Sequence, residues 1–95
     1  MSMGGYVIVP SKRFLGLMGL LDEAKKNNKR TWIEIITIMM GKGVSRKYAE
    51  LIVVELKARG IIKPINEPHH PVIYEIDIKK LEETLSPLKE MIEVR

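Results

Sequence analysis

The chain has no cysteine. That removes disulfides, thiolate nucleophiles and Cys-based zinc sites together, and it fits a reducing, cytoplasmic compartment. Long apolar runs are missing too. The longest fall far short of the roughly 20 residues that cross a bilayer, so no membrane span is expected. The first residues lack the basic start and cleavage site of a signal peptide, and Ser2 does not suit N-myristoylation. Gln is absent while Lys, Glu and Ile are plentiful, a composition that leans toward thermophile proteins. There is no phosphate-binding Gly motif and no His-x-x-x-His pair. Glu82 and Glu83 sit on a charged helix face rather than in a catalytic pair. No enzyme activity and no cofactor is expected.

What remains is an ordinary globular composition, 45% hydrophobic and 29% charged over 95 residues, enough for one small domain. The net charge of +4 is unevenly spread. Residues 1–60 carry eleven Lys/Arg against five Asp/Glu, and residues 61–95 carry five against seven. A basic front points to an anionic partner, with a solvated surface as the bland alternative.

Residues 6–10, YVIVP, are β-branched and closed by Pro10, which predicts an edge strand or extended arm. Ser11 can cap a first helix. In it Phe14, Leu17, Met18 and Leu21 form a stripe at i, i+3, i+4 and i+7, and Leu15 and Leu20 widen it. Asn27 and Asn28 stop it. Residues 31–34, TWIE, form a capping box that starts a second helix at Trp32. Gly41 and Gly43 break that helix. Ser45 caps a third, which runs to Arg59 with Gly60 as its left-handed exit. Residues 61–65 and 72–77 read as two strands around the turn-rich NEPHHP. A last helix begins at Ile78, with a break at Ser86-Pro87.

The sequence thus predicts a single α+β domain over 1–95. An arm or strand occupies 1–10, a three-helix core and β-hairpin occupy 11–77, and a C-terminal helix occupies 78–95. Residues 31–64, TWIEIITIMMGKGVSRKYAELIVVELKARGIIKP, followed by the hairpin, resemble a winged helix-turn-helix domain of the small bacterial and archaeal regulator type. The resemblance covers roughly residues 11 to 85. Gly43-Val44-Ser45-Arg46 matches the turn between the two motif helices. Leu56, Gly60 and Ile61 match the exit from the recognition helix into the wing. It implies a three-helix core with a hairpin wing, and duplex DNA as a partner.

Physical chemistry locates the candidate contacts. Gly43 allows a sharp turn, and Val44 is expected to drop between the helices. Ser45 leaves the first N–H groups of the third helix facing outward, which favours a phosphate. Lys42, Arg46 and Lys47 surround that end with positive charge. Lys12, Arg13, Lys29 and Arg30 are candidate flanking contacts. On the third helix Tyr48, Ala49, Ile52, Val53 and Leu56 share the core face. The opposite face carries Lys47, Leu51, Val54 and Ala58, flanked by Glu50 and Glu55. Base readout relies on polar or basic side chains, and Leu51 offers at best a contact to a thymine methyl. Exposed, this stripe is a protein interface, and equally it could be covered from within the chain. The wing tip is nearly free of Lys and Arg. His69 and His70 are adjacent, which suits a surface loop better than a metal site. Trp32 reads as core in preference to a base-stacking platform.

Ile78, Leu81, Leu85, Leu88 and Ile92 are spaced 3, 4, 3, 4, a coiled-coil-like seam interrupted by Pro87. The expectation is a homodimer built on this seam, with packing on the first helix as the competing outcome. Two functions stand at this point. One is a dimeric DNA-binding transcriptional regulator. The other is a protein-interaction winged helix, an accessory subunit of a larger nucleic-acid machine such as a polymerase.

Overall fold

The computed structural model describes residues 11–93, with side chains through Ser86. Expectations for the 6–10 strand lie outside the described residues, and those for Leu88 and Ile92 lie outside the described side chains. The elements are α1 (Lys12–Lys26), β1 (Lys29–Thr31), α2 (Trp32–Met40), α3 (Arg46–Ala58), β2 (Ile62–Pro64), β3 (Ile73–Ile76) and α4 (Ile78–Glu93). This is an α+β arrangement, four helices and a three-stranded antiparallel sheet among the described residues. None of these helices is long and apolar enough to cross a membrane.

Each helix starts where its capping chemistry dictates. The Ser11 hydroxyl accepts from Phe14 N at 3.0 Å. Thr31 and Glu34 complete the capping box, with Thr31 N donating to the Glu34 carboxylate at 2.8 Å. Ser45 accepts from Tyr48 N at 3.2 Å, and Asp77 accepts from Lys80 N at 3.0 Å. Each cap satisfies an amide that the first helical turn leaves without a partner. Gly60 ends the third helical segment at φ +73°, the left-handed region that glycine enters without cost.

The sheet has the order β1-β3-β2. Its first strand, three polar residues, has no pattern that a sequence reading could detect. It forms because β3 offers a free edge, and Lys29, Arg30 and Thr31 pair with Glu75, Tyr74 and Ile73. Asn28 extends the edge, its carbonyl accepting from Ile76 N at 2.8 Å. On β3 the strand period of two buries Tyr74 and Ile76 and leaves Glu75 outside.

The core lies between the sheet and the helices. Leu17 and Leu20 from α1, Ile35, Ile36 and Met39 from α2, Ile52 and Leu56 from α3, Ile62 and Ile76 from the sheet, and Leu81 from α4 are essentially inaccessible. Two expectations change here. The helix at 78–93 continues through Ser86-Pro87 without a break. More importantly, Leu81 and Leu85 are 0% and 3% exposed, and Ile78 packs half-buried against the same cluster. Their seam closes on α1, where the Lys25–Glu82 pair at 3.4 Å marks the junction. The reason is the breadth of α1. Leu17, Leu20, Leu21 and Ala24 cover more than α2 alone can bury, and α4 takes the remainder. As a result Leu81 and Leu85 are core residues of this chain and do not offer a dimer seam.

Candidate nucleic-acid interface

The turn joining α2 to α3 is tightly bonded. Gly41 N reaches Thr37 O at 2.9 Å, Lys42 N reaches Met39 O at 3.0 Å, and Gly43 N reaches Met40 O at 3.0 Å. Gly43 sits at φ +99°, a conformation L side chains rarely adopt. Val44 is buried, as expected, and its methyl packs against Gly16 of α1 so closely that an added Cβ there would lie 2.8 Å away. This anchors the turn to α1 and presents the start of α3 outward.

Arg46, Lys47 and Tyr48 occupy that first turn, and all three are exposed. Tyr48 corrects the core assignment made for it, since 39% of its surface is open. At the first turn of α3 the core face has not yet closed over the side chains. Lys47, Lys42 and Lys12 are exposed and have no ion pair among the described residues. Lys42 takes an unexpected route. Its stem lies across Gly19, where an added Cβ would meet Cγ and Cε at 2.8 Å. Its charge is therefore delivered beside α1. Arg46 bonds Glu50 through Nε at 3.2 Å and stacks over the Trp32 ring, 5.6 Å from its centroid. Trp32 is half-buried against the core, so the same indole both packs and contacts the cation.

Three of the four expected flanking cations have partners within the chain. Arg13 binds the Glu55 carboxylate with both terminal nitrogens, at 2.8 and 2.6 Å. Arg59 joins the same carboxylate at 3.3 Å. The hydrogen bond from Arg13 is the main reason that Glu55 titrates below the usual carboxylate range, and the same bond raises the Arg13 guanidinium. Arg30 donates to Asn27 O at 2.9 Å and to Glu23 O at 3.0 Å, so it tethers the α1 exit to β1. Lys29 lies 3.8 Å from Glu75 across the sheet. Arg13 and Arg30 thus hold the fold, and the available positive charge narrows to Lys12, Lys42 and Lys47, with Arg46 paired to Glu50 through Nε but unbonded at both terminal nitrogens among the described residues.

Beyond its first turn the outer face of α3 is apolar. Leu51 and Val54 are 61% and 64% exposed, and Ala58 is exposed beside them. Nothing among the described residues covers them. The segment joining β2 to β3 returns through Asn66, whose side chain accepts from Ile73 N at 2.6 Å and donates to Pro71 O at 3.1 Å. Its tip presents Glu67, His69 and His70 to solvent, with no Lys or Arg.

The sequence located the basic helix start and the apolar stripe behind it. The Trp32–Arg46 stack and the open Tyr48 were not legible, because both depend on how α2 crosses α3. The i,i+4 pairing of Arg46 with Glu50 could have been read from spacing alone. Comparison with protein-family profiles, characterised proteins and solved structures finds no match to this chain.

Proposed function

We propose that this chain is a winged helix-turn-helix protein that binds duplex DNA through the start of α3 and acts as a transcriptional regulator. The order α1-β1-α2-α3-β2-β3 with sheet order β1-β3-β2 supports that reading of the fold. One observation carries the function. Arg46, Lys47 and Tyr48 stand exposed on the first turn of a helix held outward by the Val44 anchor. Cations in that position neutralise phosphates and release counterions, which gives affinity without sequence information. The rest of the face is poor in base-reading groups, so discrimination between sequences is weak. An electrophoretic mobility shift with a mixed-sequence duplex tests the proposal. The wild-type protein retards the duplex at low salt, and Arg46→Ala with Lys47→Ala largely abolishes the shift. Equal retardation by both proteins would refute it.

A second reading rests on the 61% and 64% exposure of Leu51 and Val54 together with a wing tip that lacks Lys and Arg. It makes α3 a protein-docking helix in an accessory subunit of a nucleic-acid machine. In that case Leu51→Lys removes partner binding and leaves duplex binding unchanged or stronger.

A further inference from the structure

Arg46 is exposed at the start of α3, yet two neighbours contact its guanidinium. Its face lies over the Trp32 ring at 5.6 Å, and its Nε is tied to Glu50 at 3.2 Å. Among the described residues neither terminal nitrogen has a hydrogen-bond partner. The guanidinium is therefore contacted by the Trp32 ring and bonded at Nε, while the pair of Nη groups remains unbonded. A planar fork fixed in this way matches two oxygens of one phosphate, the arrangement in which Arg is strongest. An unrestrained Arg on a helix surface would have to freeze several torsions on binding. Here the Trp32 ring and the Glu50 bond restrict those torsions in the unbound protein.

We infer that Trp32 is a positioning residue for the phosphodiester-binding Arg46, with Glu50 orienting the same guanidinium through Nε. The inference rests on the DNA reading and extends it to a residue on another helix. Trp32 reaches the phosphate only through Arg46. Glu50 has a mixed effect, because its charge opposes the phosphate while its bond aims the fork. Trp32 carries no such conflict and gives the cleaner test.

The test is a double-mutant cycle with a fluorescently labelled mixed-sequence duplex at fixed salt. Trp32→Leu keeps an apolar side chain for the core and removes the aromatic face. It lowers duplex affinity roughly two- to fivefold, the size of an exposed cation–π contact. Trp32→Phe keeps a ring and stays within about twofold of wild type. In the Arg46→Gln background Trp32→Leu has no further effect, because the group it positions is gone. Circular dichroism confirms that each variant is folded, and Trp32→Phe carries the test if Trp32→Leu is not. In that event, Trp32→Phe in the Arg46→Gln background must show less effect than in the wild type. Trp32 is the single tryptophan, so its emission also reports the stack directly. Arg46→Gln changes that emission in the free protein. An equal loss from Trp32→Leu with and without Arg46 would overturn the positioning role and leave the DNA reading standing. A wild-type protein that binds no duplex would overturn both.

Discussion

Leu81→Ala is the substitution that best probes what α4 does. Leu81 is fully buried where α4 meets α1 and the core. Its truncation removes apolar contact and leaves a cavity that two packed helices fill only in part. Buried Leu→Ala changes cost roughly 2–5 kcal/mol, and about 3 kcal/mol is reasonable for a site walled by side chains on every flank. A domain of this length holds roughly 5–14 kcal/mol in total, so the variant still folds. Each kcal/mol lowers Tm by roughly 4–8 °C in domains of 60–100 residues, which sets the expected drop at about 12–24 °C. Melts followed by circular dichroism over a hundredfold range of protein concentration provide the assay. The drop is the same at every concentration, because Leu81 packs within its own chain. If the residue belonged to a dimer seam, the wild-type Tm would rise with concentration by mass action and the variant would lose that dependence. That outcome, or a drop of only a few degrees, would refute the packing argument.

Other substitutions probe separate parts of the account. Gly16→Ala places a Cβ 2.8 Å from the buried Val44 methyl, whereas at Gly19→Ala the nearest atoms belong to the exposed Lys42 stem, which swings aside. The first destabilises by about 1–3 kcal/mol through overpacking, and the second is neutral or stabilising by up to about 1 kcal/mol from helix propensity. Urea titrations compare them. Glu55, its folded pKa depressed chiefly by Arg13, contributes stability that is present above the unfolded carboxylate pKa and lost as pH falls through the lower folded value. Glu55→Gln flattens that acid limb in a series of melts, and an unchanged limb would deny the pair a role. Leu51→Lys and Val54→Lys leave the melting free energy within about 0.5 kcal/mol, since both side chains are largely exposed. A larger loss would mean that the face is covered within the chain.

Local chemistry is what the sequence displays most clearly. Ser11, Thr31 with Glu34, and Ser45 are read directly as caps, and each lies at the helix start it predicts. The basic turn at 42–47 and the stripe at Leu51 and Val54 follow from spacing. What sequence periodicity cannot rank is competition between surfaces. Leu81 and Leu85 are spaced equally well for a second copy and for α1, and α1 prevails because it is tethered to them. Lys29–Thr31 becomes a strand through an edge that β3 supplies from more than forty residues away. Arg13 and Arg30 look like free cations until the fold brings Glu55 and Glu23 to them.

Phosphate neutralisation by the start of α3 is what the proposed function rests on. The salt dependence of duplex binding measures this most directly. Each neutralised phosphate contributes about 0.9 to the slope of log K against log salt. Anisotropy titrations with the wild-type protein and with Arg46→Ala/Lys47→Ala, over a series of salt concentrations, give both slopes. The double variant is expected to bind more weakly, with a slope shallower by about two units. Identical slopes and affinities would contradict it.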